Sequence, residues 1–311
     1  MVNRVSTAGQ YSAILANLMT AENRQVNAEN RVSSMKNGNS LKDFATQAET
    51  LTAMTSVDAR ITNYQAQNSQ IAARLATQDQ ALSSVAASAT GVRQAIADAL
   101  ASGDAATLMT QVQNEFTTAV SGLNAQYDGK YLFAGGQIAN PPVTATQLSN
   151  LTAGPPIASF FQNDNYQAQA KLDDATTVTT GQLASTVGTP MLTAFQTLKA
   201  FDQGAGGPLS GKLTAAQSAF LTTQLSNWAG IATNLTTATA QNGLVQKQVD
   251  DVNTSLVGQQ VTLTSMIGDI VGADMAKAAT DLASAQLAVQ ASAKVLQALQ
   301  SDSLLSLLPV A

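Results

Sequence analysis

A chain of 311 residues with 15 basic and 20 acidic side chains has a net charge of −5, which leaves no electrostatic footprint for nucleic acid or an anionic membrane. It contains no cysteine and no histidine, which excludes disulfide frameworks, thiolate zinc sites and thiol or imidazole catalysis. Aromatic residues make up only 5% and charged residues 11%, so the composition favours long helices with thin seams over a compact core of large side chains. The N-terminus lacks the basic-then-apolar layout of a cleavable signal peptide, and no run approaches the length of a membrane span. The expectation is a cytosolic protein, or one exported without signal cleavage.

In chain order, Ile14, Leu18, Ala21, Gln25, Ala28, Val32 and Met35 step by four and three residues. That is the seam of a first helix, over 1–36, burying one narrow stripe. Gln25 dilutes it. Asn37-Gly38-Asn39 is the expected stop, since Gly and Asn accept the left-handed conformation. Ser40 and Asp43 have the spacing of a capping box and open the next helix. Val57, Ile61, Tyr64, Asn68, Ile71, Leu75, Gln78, Leu82, Val85, Ala89, Val92 and Ile96 extend its heptad line without a miss. The expected length is roughly 60 residues, on the order of 90 Å, which means coiled coil rather than a globular helix.

A turn at Ser102-Gly103-Asp104 leads to a third helix with Leu108, Val112, Phe116, Ala119 and Leu123 on one face. Asp128-Gly129 ahead of Lys130-Tyr131-Leu132-Phe133 is a hairpin signal. Over 136–189 the helical period disappears, four prolines occur, and a β-rich insertion is expected. Thr189-Pro190 is expected to restart helix, with proline in the tolerated first turn. Gly204 to Gly211 is a break, and Thr214 with Gln217 forms a second capping box.

Trp228, Ile231, Leu235, Ala238, Asn242, Val245, Val249, Val252 and Leu256 keep a strict heptad. Through Leu263, Ile267, Val271 and Met275 three steps of four follow, a stutter that relaxes supercoiling; with Gly268 and Gly272 it is read as a joint. From Val271 the line runs through Met275, Ala278, Leu282, Ala285, Val289, Ser292, Leu296 and Leu299. The run Leu304 to Leu308 is too short to span a membrane and reads as a packed end.

The pattern predicts a mainly α fold: elongated multi-helix coiled-coil arms, N- and C-terminal helices paired, and a small β-rich insertion at the far end. The expected domains are a terminal helical assembly domain (1–40 and 270–311), a helical coiled-coil domain (41–136 and 190–269) and an insertion domain (137–189). Seams so poor in bulky residues bury little apolar area alone, since a fully buried Leu is worth only about 1.5–3 kcal/mol. The ends are therefore expected to pack between subunits, through Ile14, Leu18, Val32, Met275, Leu282, Val289, Leu296, Leu299 and Leu304.

No residue pattern points to catalysis, a cofactor or a metal. Asp250-Asp251 are adjacent on a helix and diverge, Asp173-Asp174 fall in the insertion, and Asn163-Asp164-Asn165 lack the spacing of a calcium loop. Gly204 to Gly207 lacks the lysine and hydroxyl of a phosphate loop.

Three places carry a family resemblance: Val32-Ser33-Ser34 with Lys42-Asp43; Asp128-Gly129-Lys130-Tyr131-Leu132-Phe133-Ala134-Gly135; and Ala273-Asp274-Met275-Ala276 with Gln290-Ala291-Ser292 and the Leu304 to Leu308 run. Over roughly 1–136 and 214–308 they resemble the flagellin superfamily, most closely its hook–filament junction branch (hook-associated protein 3 type). The sequence departs from that pattern before Asp43, where the family loop often carries a proline and paired aspartates, and 137–189 match no motif. The resemblance implies a secreted structural subunit of the extracellular bacterial flagellum, exported unfolded and not an enzyme. It implies contacts with like subunits in a ring or helical array, with the other junction protein on the hook side, with flagellin on the filament side, and with an export chaperone. Filament flagellin is the alternative, and a soluble signalling or translocator coiled coil a distant one.

Overall fold

The structure, a computed structural model, describes residues 2–38, 40–152 and 155–305, with backbone only at 2–8 and 299–305. The fold is mainly α, with two small antiparallel ladders. The helices are α1 (Val2–Ser34), α2 (Ala48–Ser102), α3 (Leu108–Leu123), α4 (Ala184–Gln203), α5 (Ala215–Val271) and α6 (Met275–Leu305). The strands are β1 (Gln126–Tyr127), β2 (Lys130–Tyr131), β3 (Gln169–Lys171) and β4 (Thr177–Thr179), paired β1 with β2 and β3 with β4. The chain divides into two compact units, Met1–Arg60 with Gln259–Ala311, and Ile61–Gly258.

In the first unit α1 pairs with α6. Helix α1 ends three residues before the expected Asn37-Gly38 stop: Met35 itself takes the left-handed conformation, at φ 57°. A non-glycine residue accepts that strain because the turn it makes is bonded elsewhere. Lys36 pairs antiparallel with Gly272, the Asn37 N–H donates to the Val271 carbonyl (2.8 Å) and its side-chain amide to the Gly272 carbonyl (2.6 Å). The Ala273 N–H donates to the Met35 carbonyl at 2.9 Å. Helix α5 runs through the stutter and stops at Val271, so the joint is a laced turn at 272–274. A side chain would be accommodated freely at Gly268, whereas a Cβ at Gly272 would lie 2.6 Å from the Gly268 carbonyl oxygen. Only Gly272 is required by the backbone.

The capping box at Ser40 opens a single 3₁₀ turn, Leu41–Phe44, and not the long helix; the Asp43 carboxylate accepts the Ser40 N–H at 2.9 Å. Helix α2 starts only at Ala48. The second box is complete: Thr214 N–H donates to Gln217 Oε1 (3.0 Å) and Gln217 N–H to Thr214 Oγ1 (3.2 Å). The same Gln217 amide donates to the Gly206 and Pro208 carbonyls, closing the preceding break.

In the second unit the heptad lines face the core, with Tyr64, Ile71, Ala238, Val245 and Val252 only half-buried on them. Leu82, Val85, Ala89, Val92 and Ile96 of α2, the whole predicted face of α3, and Trp228, Ile231 and Leu235 of α5 share one core with Met191, Phe195 and Leu198 of α4. Val143, Leu148, Leu151 and Ile157 from the insertion belong to it too. The β1–β2 turn has Asp128 at φ 51° and Gly129 at φ 71°, the conformation that Asp-Gly favours in a two-residue hairpin. The insertion itself carries little strand: β3 and β4 have three residues each, and much of the rest is loop and 3₁₀ turn. Pro190 stands well inside α4, whose start at Ala184 lies before the expected Thr189-Pro190. The start is tertiary: Ala184 N–H donates to the Phe133 carbonyl (2.9 Å) and Ser185 N–H to the Asn163 side-chain oxygen (3.0 Å).

Polar residues interrupt the second unit's seams. Gln78 and Asn242 are both 1% exposed; the Gln78 amide donates to Asn242 Oδ1 (3.0 Å) and that of Asn242 to the Leu75 carbonyl (3.0 Å). A paired buried amide sets register between α2 and α5, because sliding either helix would strand it. Asn242→Ala is expected to cost about 1–3 kcal/mol by leaving the Gln78 amide short of its partner. Urea unfolding measures it, and an unchanged midpoint would show the layer to be dispensable.

Candidate assembly interface

Each turn of α1 and α6 was expected to bury one stripe, and burial follows that stripe closely. Over 9–33, the positions off the α1 heptad line are exposed; on it, Ala21 and Ala28 are buried and Ile14, Leu18, Gln25 and Val32 half-buried. On α6, Ala278 and Ala285 are buried while Leu282, Val289, Ser292 and Leu296 are half-buried. The Arg31 guanidinium lies 3.9 Å from the Asp281 carboxylate, so the end of α1 meets the start of α6 and the helices run antiparallel. Both charges are about half exposed, so the pair orients more than it stabilises. Asp274 caps α6, its carboxylate accepting the N–H groups of Ala276 (3.0 Å) and Lys277 (3.1 Å).

Of the residues the sequence nominates for subunit contact, Ile14, Leu18, Val32, Leu282, Val289 and Leu296 thus lie on the intrachain seam, each partly open to solvent. Met275 is 39% exposed at the start of α6. Leu299 and Leu304 lie on α6, but their side chains fall outside the described residues, as does part of the Leu304 to Leu308 run. Gly272 lies in the laced turn, and Gly268 one turn of α5 before it, its carbonyl accepting the Gly272 N–H at 2.6 Å.

The sequence reading missed a second set of apolar residues. Tyr11, Leu15, Met19 and Val26 on α1, and Leu287 and Val295 on α6, are 42–66% exposed. Leu15, Met19 and Val26 lie off the heptad line but within one side of the helix, as do Leu287 and Val295 at a spacing of eight. A search for one seam passes over them, and a search for apolar residues at i, i+4 and i+8 finds Tyr11, Leu15 and Met19. Among the described residues of this helix pair, the fully buried side chains are alanines, while the large apolar ones remain partly or mostly in solvent.

The acidic groups weighed as chemical candidates have structural partners. The Asp173 carboxylate accepts the Ala175 and Thr176 N–H groups in the β3–β4 turn, and the Asp174 carboxylate accepts the Tyr64 hydroxyl at 2.9 Å. Asp251 pairs with Lys247 (2.8 Å) on an exposed helix face. Asp164 accepts the N–H groups of Gly136 (2.8 Å) and Tyr166 (3.0 Å), and these bonds hold its carboxyl below the usual range. Among the described residues no group of three or more acidic side chains could hold a metal ion, and no helix is long and apolar enough to cross a membrane.

Comparison with known proteins adds a match over one region and a likeness of fold. Residues 226–308, which take in most of α5 and the whole of α6, match the bacterial flagellin C-terminal helical region. No curated protein matches the chain. Among solved structures, a protein described as a flagellar hook-associated protein of Vibrio parahaemolyticus superposes with a TM-score of 0.60 at 16% identity, covering 74% of this chain and 100% of that one. Bacillus cereus FlgL superposes with a TM-score of 0.53 at 15% identity, covering 70% of this chain and 99% of that one. At such identity the likeness is one of fold. Over residues 226–308 the chain is flagellin-like, and in fold it is similar to flagellar hook-associated proteins.

Proposed function

We propose that the chain is a structural subunit of the bacterial flagellum that assembles through α1 and α6 and joins hook to filament. One observation carries this reading: the terminal pair buries alanines and leaves Leu15, Met19, Val26, Leu287 and Val295 outward. A buried methyl is worth on the order of 0.8 kcal/mol, so a seam centred on four alanines holds two helices of this length weakly. Neighbouring subunits that cover the outward leucines, Met19 and the valines supply the remaining burial. The half-buried seam residues Ile14, Leu18, Val32, Leu282, Val289 and Leu296 then become fully enclosed, together with Met275, Leu299 and Leu304.

The junction role is favoured by the fold shared with proteins whose descriptions say hook-associated or FlgL. In that role the partners are like subunits, a second junction protein toward the hook, flagellin toward the filament, and an export chaperone, at the cell exterior. Filament flagellin is the second reading, favoured by the family match over 226–308. Deleting the gene and imaging the cells separates the two. Hooks without filaments, with flagellin released into the medium, is the expected result; short or absent filaments with no flagellin in the medium would indicate the filament subunit.

A further inference from the structure

A groove of about 490 Å³ opens beside the β1–β2 hairpin in the second unit. Gln67, Gln70, Ile71 and Arg74 line it from α2, at the i, i+3, i+4, i+7 spacing of a single helix face. Tyr127, Lys130 and Tyr131 line it from the hairpin, and Tyr166 from the loop that Asp164 clamps to Gly136. Lys130 and Tyr131 belong to the Asp128 to Gly135 motif, and Tyr127 directly precedes it.

Tyr127 packs its inner side against the core, but the groove's cations and its outer tyrosines, Tyr131 and Tyr166, are not used in that way. Neither the Arg74 nor the Lys130 side chain has an ion-pair or hydrogen-bond partner among the described residues, in a chain with only 15 basic side chains and an acidic balance. Arg74 is also half-buried, and the loss of water pushes its guanidinium down from its ordinary value with no carboxylate to offset it. Of the nearby acids, Asp164 is engaged by two backbone N–H groups, and Asp128 lines the rim in solvent. The three tyrosines form no ring pair with one another, and Tyr166 is 60% exposed.

We propose that this groove binds an acidic saccharide, with a sugar carboxylate on Arg74 and Lys130 and sugar ring faces against the tyrosines. The volume lies within the range of small-molecule sites, about 300–1,000 Å³. The planar guanidinium fork matches a carboxylate in two-point contact. Tyrosine offers a flat apolar face beside a hydroxyl, and the Gln67 and Gln70 amides offer donors and acceptors to ring hydroxyls. An acidic peptide would answer the cations and the amides, and the flat tyrosine faces are what favour a sugar ring over an acidic side chain.

Titration calorimetry of the full chain with trigalacturonate and trimannuronate tests this, with maltotriose as the neutral probe and hexaglutamate as the peptide probe. The expected result is saturable binding of at least one acidic trisaccharide. That binding weakens at least tenfold in Arg74→Gln and in Tyr166→Ala, and falls as salt rises. Tyr166 is largely exposed, so its replacement keeps the fold, and thermal unfolding checks both variants. Absence of saturable binding by both acidic trisaccharides, or unchanged binding in the two variants, overturns the proposal. Equal affinity for maltotriose removes the role of the cations, and binding of hexaglutamate in place of the saccharides assigns the groove to an acidic peptide; either result overturns it.

Discussion

Phe195→Ala is expected to destabilise the second unit by about 3–5 kcal/mol. Phe195 is fully buried and joins three helices: its ring meets Phe116 of α3 edge-on at 5.2 Å and Trp228 of α5 at 4.8 Å. Removing it loses both edge contacts and leaves a cavity that α3, α4 and α5 are too constrained to fill. Urea unfolding followed by Trp228 fluorescence reads the loss directly, since Trp228 is the chain's one tryptophan and lies in the cluster. Trp228→Phe, followed by circular dichroism, is expected to cost less. The indole N–H is buried without a hydrogen-bond partner, so its removal offsets part of the lost packing. A loss below about 1 kcal/mol in Phe195→Ala would move the centre of the core elsewhere.

The second large effect concerns assembly. Removing residues 275–311 deletes α6 and the chain beyond it, and with it the partner of α1. Over its length α1 presents a thin seam diluted by Gln25, and without α6 its ordering cost exceeds what burial returns. The truncated chain is expected to lose polymerisation entirely and to expose α1 to protease, while residues 61–258 melt as before. Electron microscopy, limited proteolysis and thermal melts give the three readouts. Two single substitutions separate pairing from assembly. Ala285→Glu places a charge on the buried seam and should undo the α1–α6 pair as well as assembly. Leu287→Glu, on a side chain 66% exposed, should leave the pair folded and still block assembly. Polymers formed normally by the truncated chain or by Leu287→Glu would remove the terminal helices from the proposed interface.

These expectations rest on features of unequal visibility in the sequence. Heptad spacing alone located the α1 and α6 seams and the faces of α2, α3 and α5, because a long helix repeats its geometry and each burial decision is local to a period of seven residues. The Asp128-Gly129 turn was legible for the same reason: two residues contain the whole conformational preference. The stop after α1 was not, since Met35 rather than Asn37-Gly38 turns left-handed, and what holds it there are bonds to 271–273, over two hundred residues away. The start of α4 was likewise misplaced, because the groups that cap it are the Phe133 carbonyl and the Asn163 side chain. Ile14, Leu18, Val32, Leu282, Val289 and Leu296 lie on a seam, but the sequence could not tell a stripe met within the chain from one left for a neighbour.

By itself, then, the sequence determined the helical class, the seams, the hairpin and the exclusion of thiol and imidazole chemistry. Each follows from local periodicity or from residue types that are simply absent. Tertiary structure alone decided where helices end, that Gly272 and not Gly268 is required at the joint, and which apolar residues stay outward. It also brought Arg74, Lys130 and three tyrosines to one groove. These depend on which distant segments supply a carbonyl, an amide or a covering side chain, and local spacing carries no record of that.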